Sequence, residues 1–261
     1  MTIHPTAVIE PGAQLGDNVT VGAFAYIDTQ VKIGSGCTIG PRATILRHTQ
    51  LGNHCRVHAG AVIGDLPQDL AFQATETYVQ IGNNCVLREG VTVHRGTKPD
   101  SVTVVGNDCL LMVNSHVAHN AKLGDGVILA NGALIAGYAE VGERAFVSGG
   151  CLVHQFTRVG RLVMMSGGSA IQKDVPPFCM TRSVSANTIM GLNTVGLRRA
   201  GVSAQERKTL KQAFQTLFQS DLSLPSAVEK LQGQFESPLV QELAAFIQAS
   251  ERGICKFLRR P

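Results

Sequence analysis

The sequence predicts an all-β solenoid plus α: a parallel β-helix of hexapeptide repeats over residues 1–175, followed by a small C-terminal α-helical domain over residues 176–261. Three observations carry this. An apolar residue returns at every sixth position for most of the chain. The residue two before it is usually small. After residue 171 the six-residue phase stops and helix-start signals begin.

Divided into sixes from His4, the chain reads HPTAVI EPGAQL GDNVTV GAFAYI DTQVKI GSGCTI GPRATI LRHTQL GNHCRV HAGAVI, and all ten blocks end in Ile, Leu or Val. The phase returns at Ile81, Leu87 and Val93, and runs from Val105 to Ile171 through Val117, Ile135, Val153 and Met165, giving 25 hexads. A period of six matches neither an amphipathic helix nor a long alternating strand; it fits a β-helix whose three short faces make a coil of about 18 residues. Roughly eight coils would form a prism about 40 Å long at the usual inter-strand spacing.

The small slot holds Ala7, Ala13, Ala25, Cys37, Ala43, Cys55 and Ala61, and five of the seven cysteines (Cys37, Cys55, Cys85, Cys109, Cys151) fall in it. Free Cys behaves there as a small hydrophobe. With no CxxC pair and an odd count, neither a disulfide framework nor a zinc ribbon is expected. Aromatics at 5% and the absence of Trp suit a narrow interior.

Two stretches break the phase. Residues 64–80, GDLPQDLAFQATETYVQ, take the place of two hexads, and residues 96–104, GTKPDSVTV, of another, with Pro99 at a phase position. Insertions in a solenoid emerge as loops on one side, often the binding side.

The repeat ends at KDVPPF. Ser203-Ala-Gln-Glu206 and Ser226-Ala-Val-Glu229 have the capping-box pattern, and Ser237 before Pro238 reads as an N-cap with Pro at the first helical position. Leu210, Phe214 and Leu217, then Leu239, Leu243 and Phe246, follow helical spacing.

No apolar run approaches membrane-spanning length, and MTIHPTAVIEPG lacks the basic and apolar regions of a secretory signal, so a cytoplasmic location without stable membrane insertion is expected. Residues 1–195 carry 13 basic and 13 acidic side chains; residues 196–261 carry ten and six, so the whole excess of +4 sits in the tail. This fits an acidic partner or a solvated helical face. No nucleic-acid partner is expected.

In an 18-residue coil, His119, Gly137 and Gln155 stack in one column near a corner, and His116 and His119 in NSHVAHN both face outward. An outward His with a pKa near 6.5 suits general-base work at neutral pH. A glycine N–H one coil above suits an oxyanion donor. A zinc site built from His94, His116 and His119 across subunits, as in the hexapeptide-repeat carbonic anhydrases, fits less well, because those proteins are shorter and lack the helical tail.

The prism with its tail, and the segments IGDLPQDL, VTVHRGT, LLMVNSHVAHNAKLGDGVILANGALIAGY, GGCLVHQF and QKDVPPF, resemble the UDP-N-acetylglucosamine 3-O-acyltransferases over nearly the whole chain. The resemblance implies a left-handed coil, a homotrimer with active sites between subunits, an (R)-3-hydroxyacyl donor carried on acyl carrier protein, a UDP-sugar acceptor and no metal or nucleotide cofactor. It implies His119 as catalytic base and Gly137 as oxyanion donor. Asp69 would bind the sugar; His94, His116, His154 and Gln155 would line the substrate; Asn193 and Arg199 would contact the nucleotide. Gly167, with Met164 beside it, would set acyl-chain length, while Met165 packs inward at a phase position. Arg198, Arg199, Arg207, Lys208 and Lys211 would meet the acidic carrier protein.

Several positions depart from the family pattern. Ala71 stands where the family has Lys, Asn120 where it has Asp, Tyr138 where it has His, Val195 where it has Glu and Ala200 where it has Arg. The changes leave two alternatives beside the leading reading: a paralogue that acylates another nucleotide sugar or an amino sugar, and a non-catalytic trimer that binds carrier protein.

Overall fold

The structure, a computed structural model, describes residues 1–258. From Thr2 to Ile171 the chain runs through short strands, mostly of two residues, which stack as three parallel sheets. Every third strand joins the same sheet. The sheets have 12, 9 and 8 strands, and the twelve-stranded one also takes up three strands from beyond the repeat. Ile27 pairs with Ile45 and Ile135 with Val153, a step of 18 residues in each case, one coil.

The period of six explains the strand length. In each two-residue strand the first side chain points out and the second, the phase residue, points in, as at exposed Lys122 and buried Leu123. A two-residue turn then rotates the chain to the next face. One turn residue often takes a positive φ, as at Asn18, Asn114 and Asn120, which Gly and Asn adopt at least cost. Backbone N–H groups bond to the coil above, as from Gly22 to Ile39 O at 2.7 Å, so the narrow core leaves few backbone groups unpaired.

The buried cysteine column refines the small-slot reading. The Sγ atoms of Cys37, Cys55, Cys85 and Cys109 lie 3.1, 3.1, 3.0 and 3.3 Å from the corner carbonyls of Gly52, Gly82, Gly106 and Gly124. Each thiol donates to an oxygen that Ala would leave without a donor. Hydrogen bonding to the next thiol in the column and burial push the Cys37 thiol far above its ordinary range.

Register locates the two loops. Leu51 pairs with Ile81, a step of 30, so the first loop adds twelve residues to a complete coil. Leu87 pairs with Leu111, a step of 24, so the second adds six. Both leave the nine-stranded sheet, at Val62–Asp65 and Thr92–His94, and return to the eight-stranded one, at Tyr78–Ile81 and Val102–Val105. They therefore share one corner of the prism.

The tail departs from the expectation of helices directly after the repeat. Cys179–Thr181 and Thr188–Leu192 form an antiparallel pair that extends the twelve-stranded sheet, and Lys256–Phe257 adds to its edge. The last coil would otherwise present an open sheet edge. Helices begin only at α1 (Thr194–Arg199), followed by α2 (Ala204–Phe218), α3 (Leu224–Gln234) and α4 (Pro238–Gln248). Residues 259–261 of the expected helical region lie outside the described residues.

The Ser203–Glu206 capping box forms on α2. The one expected at Ser226–Glu229 does not: α3 starts earlier, and Ser223 caps it by accepting from Ser226 N at 3.3 Å. Pro225 fits the first turn, where no N–H is needed, so the helix extends N-terminally past Ser226. Ser237 is the N-cap of α4 by position, without a side-chain cap bond. The buried stripe of α4 is Val240, Leu243, Ala244 and Ile247, with Leu239 and Phe246 on its flanks, one position from the stripe read from spacing. These helices pack over Leu162 and Phe178 in a second apolar core.

Candidate active site

The corner that emits both loops also carries the histidines. His116 and Val117 form a strand of the nine-stranded sheet, and the turn after them holds His119 and Asn120. One coil up, the same turn holds Gly137 and Tyr138; two coils up, Gln155 and Phe156. Tyr138 N donates to His119 O at 3.0 Å and Phe156 N to Gly137 O at 3.2 Å, which stacks the column as spacing predicts.

His119 points out of the core yet is only 7% exposed, because its ring lies across Gly137. A methyl group at Gly137 would stand 2.6 Å from Nε2 and 3.0 Å from Nδ1, a collision with the imidazole. Gly137 N–H has no hydrogen-bond partner among the described residues. His116, His119, Gly137, His154 and Gln155 line one cavity of about 460 Å³, closed on other sides by Gln68, Leu134, Leu152 and Gln172.

Below this cavity, His94 and His116 meet edge to face at 4.9 Å, and His116 Nδ1 bonds Thr92 Oγ1 at 2.7 Å. Burial lowers the pKa of His94, and burial with neighbouring His94 and His119 lowers that of His116 to about 4. Both are neutral imidazoles at physiological pH. Among the described residues no three His, Cys, Asp or Glu side chains gather as a metal shell.

His119 Nδ1 lies 3.1 Å from Asn120 Oδ1. The same oxygen accepts from Thr97 N at 3.0 Å and Thr97 Oγ1 at 2.9 Å, and Thr97 Oγ1 is 2.8 Å from the Tyr138 hydroxyl. Thr97 belongs to the second loop. Tyr138 stands edge-on to His119 at 5.4 Å and stacks on Phe156 at 5.0 Å. Asn120, Tyr138 and Phe156 thus form a second column, one residue along from that of His119.

The other expected site residues lie elsewhere. Asp69 sits in the first loop, where Oδ1 accepts from Ala71 N at 2.9 Å; its neighbour Gln68 reaches the histidine cavity. Met164, Asn193 and Arg199 line a separate cavity of about 600 Å³ against the twelve-stranded sheet, which also includes Val195. Asn193 has a structural duty that spacing did not reveal: it caps α1 by accepting from Gly196 N and donates from Nδ2 to Leu162 O, both at 2.9 Å. Gly167 lines neither cavity; a methyl there would meet only Gly149 O, at 3.7 Å. Met165 is fully buried, as its phase requires. Arg207, Lys208 and Lys211 rim a third cavity of about 430 Å³ floored by Leu197 and Phe214, while Arg198 stands exposed outside it.

Sequence reasoning missed Thr97, Gln68, Leu134 and Leu152. The two leucines had a readable signal: each is an outward residue in the His116 column, where solvated faces carry Thr, Lys or Glu. Both stay more than 40% exposed. Thr97 and Gln68 had none, because loops carry no periodic register.

A three-faced coil with a loop-rich histidine corner defines a hexapeptide-repeat transferase. Residues 30–65 and 103–137 match the bacterial transferase hexapeptide model, and residues 174–255 match the model for domain 2 of Udp N-acetylglucosamine O-acyltransferase. An acyl-[acyl-carrier-protein]–UDP-N-acetylglucosamine O-acyltransferase from Trichlorobacter lovleyi is 48% identical over 260 residues, covering 98% of this chain and 100% of the relative. One from Thermodesulfovibrio yellowstonii is 39% identical, covering 97% and 99%. The solved UDP-N-acetylglucosamine acyltransferase from Campylobacter jejuni superposes with a TM-score of 0.93 at 39% identity, covering 98% of this chain and 100% of that one. The chain belongs to the acyl-[acyl-carrier-protein]–UDP-N-acetylglucosamine O-acyltransferase family, and its prism is a left-handed parallel β-helix.

Proposed function

We propose that this chain is an acyltransferase that moves an (R)-3-hydroxyacyl chain from acyl carrier protein to the 3-hydroxyl of UDP-N-acetylglucosamine, the first step of lipid A synthesis. The observation that carries this is the His119 ring lying across side-chain-free Gly137, whose unpartnered N–H belongs to the same cavity. His119 Nε2 takes the proton of the sugar hydroxyl as that oxygen attacks the thioester carbonyl. The new C–O bond puts negative charge on the carbonyl oxygen, and Gly137 N–H donates to it. Collapse breaks the C–S bond, and the imidazolium returns its proton to the departing thiolate. Neutral His116, with His94 beside it, binds hydroxyls without adding positive charge next to the base.

We read the working form as a homotrimer. His119 and Gly137 serve one cavity and Asn193 and Arg199 another, against a different sheet, so a substrate that needs all four needs a second copy. Asp69 and His154 then hold the sugar and Gln155 the region near the reacting centre. The open corner at Gly167, with Met164, gives the acyl chain room. The basic rim of Arg207, Lys208 and Lys211, extended by Arg198, suits an acidic carrier protein. No helix among the described residues is long and apolar enough to cross a membrane, and all seven cysteines are unpaired, in keeping with a reducing cytoplasm.

One observation favours a second acceptor. Asn120 gives the base a neutral partner, and an amine, once deprotonated, needs less help from a carboxylate-backed base than a hydroxyl does. Incubation with 3-hydroxyacyl carrier proteins of several lengths tests both readings by mass spectrometry of the product. O-acylated UDP-N-acetylglucosamine that vanishes with His119→Ala supports the first. Transfer only to a 3-amino analogue replaces it with the second. Carrier-protein binding without transfer to either contradicts both.

A further inference from the structure

We propose that Thr97 and Tyr138 are positioning residues for the acyl-transfer base, which they orient through the Asn120 side chain as an uncharged brace that fixes the tautomer of His119. This rests on the reading of His119 as base.

One donor to the Asn120 side chain has a fixed direction. A backbone N–H can only donate, and Thr97 N lies 3.0 Å from the Asn120 side-chain atom Oδ1. That atom must therefore be the amide oxygen, not its nitrogen. An amide oxygen has no proton to give. His119 Nδ1, 3.1 Å from the same oxygen, is then the protonated ring nitrogen, and Nε2 is left bare. Nε2 lies on the part of the ring against Gly137, in the cavity that would hold the reacting atoms.

The hydroxyls extend the chain. Thr97 Oγ1 has one hydrogen and donates it to Asn120 Oδ1 at 2.9 Å. The 2.8 Å contact to Tyr138 is then made by the phenol, donating to Thr97 Oγ1. Each proton points the same way, from Tyr138 through Thr97 to Asn120, and bonds so aligned strengthen one another. Three donors on one oxygen hold the amide against rotation, and Thr103 Oγ1 anchors the Asn120 backbone N at 2.7 Å.

A purely structural account explains less. Asn120 has φ +59°, a conformation that Asn tolerates, but any Asn, Gly or Asp would serve that need. Thr97 adds nothing to the prism: it lies in six residues inserted beyond the repeat, half-buried, with its hydroxyl turned to Asn120 and Tyr138 rather than to its own loop. The brace is also uncharged. The titratable groups beside His119 are His94 and His116 on the same face and Tyr138 on the next coil. The imidazolium formed during transfer therefore meets the Asn120 amide dipole rather than a carboxylate.

The test uses the full chain with UDP-N-acetylglucosamine and 3-hydroxyacyl carrier protein, and the ¹⁵N spectrum of histidine-labelled protein without substrate. The His119 signal is the one that His119→Gln removes. In the wild type it should show Nδ1–H with bare Nε2. Thr97→Val should lower kcat about tenfold with KM within about twofold, and should mix the tautomers, whereas Thr97→Ser should restore both. Tyr138→Phe should lower kcat by about threefold. Thr97→Val added to Asn120→Ala should cost nothing more, since Thr97 acts through Asn120. An Nε2–H tautomer in an active wild type removes the brace while leaving the base reading intact. So does a Thr97→Val variant with unchanged kcat and tautomer, or a Thr97→Ser variant as impaired as Thr97→Val. A wild type that transfers no acyl group removes the base reading itself, and the proposal with it.

Discussion

Gly137 is a glycine because a side chain there would occupy the volume of the His119 ring. Gly137→Ala must push the imidazole off the corner, and we expect kcat to fall about a hundredfold, with the fold and KM little changed. A variant within twofold of the wild type would show that the ring does not work where it lies. His116 gives a second prediction at this scale. Burial holds its pKa at about 4, below the value near 6.5 that an unfolded chain would give, and lowers that of His94. Between those values the unfolded chain binds more protons, so stability is present above the window and falls as pH drops through it. The loss is at most about 1.4 kcal/mol per pH unit for each histidine. Urea midpoints at pH 7.5, 6 and 5 check this, and His116→Gln should flatten the dependence. Phase alone told which of these residues point outward. It could not tell that His119 would be covered, because the covering group is a bare backbone, nor that Thr97 reaches its neighbour Asn120 from a loop.

At the scale of elements, the six-residue phase made the sheets, the register and both insertions legible, since a narrow prism core admits one apolar residue per face and little else. The tail was harder. The pattern at Ser226–Glu229 pointed to a helix start one turn later than the Ser223 cap that α3 uses, and the α4 stripe was read one position from the buried row. The strands Cys179–Thr181 and Thr188–Leu192 follow no period, because they answer to an open sheet edge rather than to a repeat. Beside the apolar core around Leu162 and Phe178, a polar junction ties tail to prism. Asp174, 1% exposed, takes Arg158 N at 2.8 Å and Nη2 at 3.0 Å, and accepts from Ser250 Oγ at 2.8 Å. Arg158 also stacks on Phe246, 4.4 Å from its centroid. Asp174→Ala leaves the guanidinium without its carboxylate and should cost about 3 kcal/mol, read as a lowered urea midpoint. Arg161 and Glu242 bridge the same junction from a more exposed position, and Glu242→Gln should cost less than about 1 kcal/mol.

At the scale of the whole molecule, the residues assigned to one reaction stand on two faces. His119, Gly137, His116, His154 and Gln155 share the corner cavity; Asn193, Arg199 and Met164 share the cavity against the twelve-stranded sheet. In the homotrimer we propose, a threefold axis would set the first of these faces on one copy against the second on the next. Spacing could not reveal this division, since it shows which residues stack but not which cavity each one lines. The proposed trimer has one central consequence: the reaction is carried out between copies, with the base from one and the nucleotide contacts from the next. Co-expression of His119→Ala and Arg199→Ala chains tests it most directly. Each variant alone should be nearly inactive. In randomly mixed trimers about a quarter of the interfaces pair an intact His119 with an intact Arg199, so about a quarter of wild-type acyl transfer should return. Mixed trimers no more active than either variant alone would contradict the claim.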